Sequence, residues 1–88
     1  MRLIFSGRGW DDYLLWADEG SKALARINGL LNECLRHPFQ GTGKPEPLRG
    51  NLSGWWSRRI NREHRLVYRV SGSGETQSLE IAQCRQHY

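Results

Sequence analysis

The sequence predicts an α+β fold: two N-terminal helices packed on a small, mainly antiparallel sheet, in a single domain spanning residues 1–88. Three observations carry this. A short apolar run, Leu3-Ile4-Phe5, opens the chain as a strand. Apolar residues then recur with a helical period as far as Arg36. From Trp55 onward the period shortens to that of strands, with polar turns between them.

The first strand runs from Met1 to Ser6, and Gly7 ends it. In the first helix Trp10, Tyr13, Leu14 and Ala17 fall at i, i+3, i+4 and i+7 and define the expected buried stripe. Asp11 and Asp12 read as first-turn residues, where the macrodipole favours negative charge. Gly20 breaks the helix, and Ser21 is a suitable N-cap for the second. That helix reaches about Arg36, with Leu24, Ile27, Leu31, Cys34 and Leu35 as its stripe. His37 to Pro47 reads as a loop, because Pro38, Gly41, Gly43, Pro45 and Pro47 interrupt any regular element. Leu48 to Ser53 forms a turn or a short strand. Trp55–Ile60 and Arg65–Val70 are strands joined by a hairpin at Asn61–His64. Ser71–Thr76 is a polar turn, and the last strand, Leu79–Gln86, runs into His87-Tyr88 without a linker.

Strand parity sorts these side chains. Leu66, Tyr68 and Val70 share the face expected to meet the helices, with Arg65, Val67 and Arg69 opposite. Trp56 and Ile60 share a face of the preceding strand, leaving Trp55, Ser57 and Arg59 on the other. A hairpin register could therefore bring Arg59 and Arg65 together on one polar face.

Charge distribution narrows the function. The net charge is +4. Residues 1–36 carry five basic and five acidic side chains, whereas residues 37–88 carry eight and four, so the whole excess lies in the second half. Seven of those eight cations are arginines, whose fork suits phosphate oxygens, and a one-sided basic surface favours nucleic acid or an acidic protein. No run is long and apolar enough for a membrane span, and no signal-peptide pattern is present. Cys34 and Cys84, the two cysteines, make no disulfide framework, so a reducing cytoplasm is the expected compartment. Cys84-x-x-His87 has an odd strand offset and no second ligand pair, which argues against a metal site. No cofactor is expected.

The residues that carry chemistry lie between Lys44 and Val70 and at the last two positions. Cleaving RNA through its own 2′-hydroxyl needs a base, an acid and cations around the phosphate. Glu46, boxed between Pro45 and Pro47, can be the base. His87 can be the acid, and Arg59 and Arg65 can hold the phosphate. Tyr88 or Trp55 can stack on an unpaired base. Lys44, Arg49, Arg58, Arg62 and Arg69 supply general attraction to phosphates, and His64 reads as a solvated turn residue.

Lys44-Pro45-Glu46-Pro47-Leu48, Asn51-Leu52-Ser53-Gly54, Trp56-Ser57-Arg58-Arg59-Ile60, Glu63-His64-Arg65-Leu66-Val67-Tyr68 and His87-Tyr88 resemble the YoeB (Txe) toxins of the RelE-like superfamily. Trp10-Asp11-Asp12-Tyr13 and Pro38-Phe39 fit as well, so the resemblance covers essentially the whole chain. Arg49 stands where the family pattern has a lysine, and the Ser71–Thr76 turn is longer than usual. The resemblance implies a RelE-like fold and an endoribonuclease that cuts messenger RNA in the bacterial ribosome. It implies a YefM-type antitoxin, with which the toxin helps repress a shared operon, and often a homodimer. By position it makes Glu46 the general base and His87 the general acid. Arg65 then stabilises the transition state with support from Arg59, and Tyr88 orients the substrate. The competing reading is a non-catalytic RelE-like nucleic-acid-binding or co-repressor partner. Such a partner needs the arginines but not the coexistence of Glu46 and His87.

Overall fold

The computed structural model describes residues 1–20 and 22–87; Ser21, the expected second N-cap, and Tyr88 lie outside the described residues. The chain runs as strand β1 (Arg2–Phe5), helices α1 (Gly7–Glu19) and α2 (Lys22–Arg36), and strands β2 (Glu46–Pro47), β3 (Trp56–Arg59), β4 (Arg65–Ser71) and β5 (Ser78–Gln83). Among the described residues the strands form one five-stranded sheet in the order β1-β5-β4-β3-β2. β1 is parallel to β5 and every other pair is antiparallel, so the sheet is mixed but mainly antiparallel. Among the described residues, no helix is long and apolar enough to cross a membrane.

Helix α1 begins earlier than its apolar pattern suggests. Ser6 is its N-cap: the hydroxyl accepts the Gly9 N–H at 3.0 Å and donates to the Ala82 carbonyl at 2.8 Å. Asp11 and Asp12 therefore fall beyond the first turn, and the macrodipole does not explain them. The buried face is also rotated from the expected stripe. Gly9, Asp12 and Trp16 are buried, whereas Trp10, Leu14 and Ala17 are exposed. The reason is close approach at Gly9, where a Cβ would stand 2.6 Å from the Ile81 carbonyl oxygen. A helix that nears the sheet there must turn Asp12 and Trp16 inward. Gly20 ends the helix in the left-handed region at φ 59°.

Helix α2 buries Ile27, Leu30, Leu31 and Cys34. These pack with Trp16 on Ile60, Leu66, Tyr68, Leu79, Ile81 and Cys84, so both helices cover one sheet face. Each large aliphatic chain in this layer contributes about 1.5–3 kcal/mol by leaving water. Burial pushes the Cys34 thiol up to about 11. Burial, with the Asp12 charge nearby, takes Cys84 to about 12. Both are packed, protonated thiols at neutral pH rather than reactive ones.

Two elements near the site depart from the expected pattern. Glu46 and Pro47, read as loop, pair antiparallel with Ser57 and Trp56. An edge strand tolerates proline here because its second side needs no donor. β5 stops at Gln83 instead of reaching Gln86. Its next residue is captured by α1: the Cys84 N–H donates to Asp12 Oδ2 at 3.1 Å, and its carbonyl accepts Trp16 Nε1–H at 2.7 Å. With both backbone groups committed to the helix, the ladder ends. The register also slips just before this point. Tyr68 faces Ile81 and Val67 faces Gln83, so Ala82 is an extra residue that re-aims Gln83 toward the face away from the helices, where Gln83 is buried beside Val67.

Candidate active site

The sheet face away from the helices carries the candidate site. Directly paired residues point to the same side. Glu46 pairs with Ser57, Ser57 with Val67 and Val67 with Gln83, which makes one row across four strands. Two positions along, Arg59 pairs with Arg65 on that same side. The register expected from parity is therefore the one observed. Glu46 lies about 10 Å from β4 across two inter-strand steps, and Arg65 about 7 Å further along it. Long side chains can close on a phosphate across that span.

The C-terminal segment enters from the other flank. After Cys84 the chain bends, and Gln86 adopts a left-handed φ of 66°. Its N–H donates to His64 Nδ1 at 2.6 Å, and its carbonyl accepts the Arg65 N–H at 3.0 Å. Gln86 is thus docked on the residue that opens β4, and the exposed His87 follows it directly. Across the sheet the order is Glu46, Arg59, Arg65, then the segment bearing His87. Tyr88, the fifth residue of the expected set, lies outside the described residues.

The two arginines are held differently. Arg59 exposes its side chain while its backbone is pinned on both sides: its N–H donates to the Gly43 carbonyl at 2.7 Å, and its carbonyl accepts Arg26 Nη2 at 3.0 Å. Gly43 meets that strand at φ 88°, and a Cβ there would lie 3.1–3.2 Å from Arg58 and Arg59. Half-buried Arg65 turns Nη1 onto the carbonyls of Asn61 at 2.7 Å, His64 at 3.0 Å and Arg62 at 3.3 Å. Asn61 Oδ1 in turn accepts the Glu63 and His64 N–H groups, each at 2.9 Å, which closes the hairpin as an Asx turn.

Arg58 corrects the sequence reading. It stands among the expected phosphate-attracting cations, yet it is fully buried. Its Nη2 donates to the His37 and Gln40 carbonyls, and Nη1 donates to the Thr42 carbonyl at 3.1 Å. Its Nε donates to the Tyr68 hydroxyl at 3.2 Å, and that hydroxyl donates to the Pro38 carbonyl at 2.6 Å. Arg58 therefore organises the 37–44 loop and cannot meet a ligand. Parity held the signal, since Arg58 shares a strand face with Trp56 and Ile60. Arg69 is also engaged: its Nε donates to Glu80 Oε2 at 2.8 Å, and its guanidinium lies 4.5 Å over the Trp55 ring. One face of Trp55 is thus occupied by a cation rather than open to a base. Lys44, Arg49 and Arg62 remain exposed. His64, read as a solvated turn residue, is instead a hydrogen-bond acceptor packed edge-on against Trp16. Nothing in the sequence signals that contact, because it depends on where the chain's end docks. Among the described residues, no group of three or more His, Cys, Asp or Glu side chains is placed to hold a metal ion.

Residues 5–88 match the family model described as the YoeB-like toxin of bacterial type II toxin–antitoxin systems. The chain is 53% identical to Toxin YoeB of Escherichia coli (strain K12), with 100% of both chains covered. It is similar in structure to the YoeB/ParE toxin from Agrobacterium tumefaciens, with TM-score 0.95, 52% identity and 100% of both chains covered. It is likewise similar to Staphylococcus aureus YoeB, solved as a YoeB–YefM complex and as a dimer. Each has TM-score 0.86 and 40% identity, covering 100% of this chain and 98% of that one.

Two variants test the loop's anchor. Arg58→Ala leaves several loop carbonyls without a donor and should cost on the order of 3 kcal/mol, lowering Tm by more than about 10 °C. Glu33 supports the same loop: Oε1 accepts the Thr42 N–H at 2.7 Å and lies 3.4 Å from Arg58 Nη1. Thr42 first, and then Arg58, hold its carboxyl below the ordinary 4.5. A folded-state value below the unfolded one contributes stability above the unfolded value, and that stability is lost as pH falls through the folded value. Glu33→Gln should therefore lower Tm at pH 7, and the gap to wild type should narrow below pH 4.5. A gap that widens in acid would contradict this.

Proposed function

This chain belongs to the YoeB-like toxins of bacterial type II toxin–antitoxin systems, and on that premise we propose that it is an endoribonuclease that cuts messenger RNA in the bacterial ribosome. The observation that supports the proposal is the sheet face that Glu46 shares with the Arg59–Arg65 pair, with Gln86, the residue before His87, docked on the Arg65 backbone. An acid and a base on either side of fixed cations are what an in-line displacement at phosphorus needs.

In this reading Glu46 takes the proton from a ribose 2′-hydroxyl. The oxygen attacks the adjacent phosphorus, the O2′–P bond forms and the P–O5′ bond breaks. His87 delivers its proton to the leaving 5′-oxygen, so the products are a 2′,3′-cyclic phosphate and a 5′-hydroxyl end. Arg65, with Arg59, stabilises charge on the non-bridging oxygens, and Tyr88 orients the nucleotide. Lys44, Arg49 and Arg62 add attraction to the RNA backbone. Side chains supply every group in the step, so the proposal calls for no cofactor.

The partners follow the same reading: a YefM-type antitoxin, a second copy of the chain, and the cytoplasmic ribosome. Support comes from the Staphylococcus aureus relative, solved both with YefM and as a dimer.

Expression of wild type, Glu46→Gln and His87→Gln in a bacterial host tests the roles. Wild type should arrest growth and cut messenger RNA. Each substitution should slow single-turnover cleavage by about 10²–10⁴-fold and relieve the arrest. Cleavage by either variant at the wild-type rate would remove that residue from the mechanism.

A further inference from the structure

The contact between His64 and Gln86 has no part in the chemistry above, yet it fixes the segment that bears the acid. His64 is immobilised on both sides. Its N–H donates to Asn61 Oδ1 at 2.9 Å, and its carbonyl accepts the Ile60 N–H at 3.0 Å. Its ring meets Trp16 edge-on, with centroids 4.9 Å apart at 89°, and its side chain is 17% exposed. Trp16 is itself tied to the Cys84 carbonyl and carries the Arg85 guanidinium 4.3 Å over its ring. The imidazole therefore presents Nδ1 from a rigid mount, and what it accepts is the Gln86 N–H at 2.6 Å.

Gln86 needs such a hold. At φ 66° a residue with a Cβ sits in the left-handed region, where the Cβ crowds the following carbonyl oxygen. Strain of this kind persists where surroundings impose it, and it gathers at functional sites. Two bonds impose it here, one to His64 Nδ1 and one from the Arg65 N–H. Both end on the residue that precedes His87.

We propose that His64 is a positioning residue: its imidazole, with Nδ1 unprotonated, clamps the Gln86 amide and so sets the His87 side chain beside Arg65. The inference rests on the proposed acid role of His87. His64 does not touch the reacting atoms and acts through the backbone of its neighbour. Because an acceptor at the Nδ1 position is what matters, the two amide replacements of histidine should differ. Asparagine places Oδ1 near Nδ1, whereas glutamine places Oε1 near Nε2.

Single-turnover cleavage on programmed bacterial ribosomes, with Gln86 amide exchange followed by NMR on the free protein, tests this. His64→Ala and His64→Gln should unprotect the Gln86 amide and slow cleavage by about 10²-fold at saturating ribosome. His64→Asn should restore both protection and most of the rate. In a His87→Gln background, His64→Ala should slow cleavage no further, since its effect passes through His87. Equal defects in the asparagine and glutamine variants would reduce His64 to general packing and overturn the proposal. So would a protected Gln86 amide in His64→Ala, or a full additional loss in the double variant. If His87→Gln alone cleaves normally, the acid assignment fails, while the amide readout still decides whether His64 clamps Gln86.

Discussion

The structure depends on one buried cation. Arg58 places its guanidinium under the 37–44 loop and donates to the backbone carbonyls of His37, Gln40 and Thr42. Taking a guanidinium out of water costs several kcal/mol unless its donors are matched. Here the carbonyls, the Tyr68 hydroxyl and the Glu33 carboxylate offset that cost together. A segment rich in proline and glycine has no ladder of its own to satisfy these carbonyls. One planar, multi-donor side chain does it from inside. The loop then reaches Glu46 in a fixed register on the sheet edge.

A second set of buried contacts governs the opposite flank. Asp12 and Trp16 take both backbone groups of Cys84, which ends β5 and turns the chain toward the hairpin. From there Gln86 docks on His64 and Arg65. The proposed base and acid thus come from separate parts of the chain, each reached through an irregular segment and each held by groups the helices or the hairpin supply. The arginines between them sit on regular strands, which keeps the proposed phosphate position rigid while its neighbours come from loops.

Much of this was legible in the sequence, and the exceptions share a cause. Strand parity identified the face with Arg59 and Arg65, because side-chain alternation is a local property of the backbone. The same rule applied to Arg58 puts it on the face of Trp56 and Ile60, but its charge makes it read as a surface cation, and it is buried. Apolar periodicity misplaced the α1 stripe, since it cannot weigh a polar anchor such as Asp12 or a close approach such as Gly9 against exposed Trp10 and Leu14. The premature end of β5 and the clamp at His64 arise from contacts between residues more than 20 positions apart, 72 for Asp12 and Cys84. No window along the chain contains both partners.

The central claim is that Glu46 and His87 serve opposite ends of one displacement. A messenger carrying sulfur in place of the bridging 5′-oxygen at the cut site tests it most directly, because a thiolate leaves without an acid. Single-turnover cleavage of this substrate should return His87→Gln to near the wild-type rate and leave Glu46→Gln impaired. If sulfur instead restored Glu46→Gln, or left His87→Gln as slow as on the natural messenger, the assignment of base and acid to these two residues would be wrong.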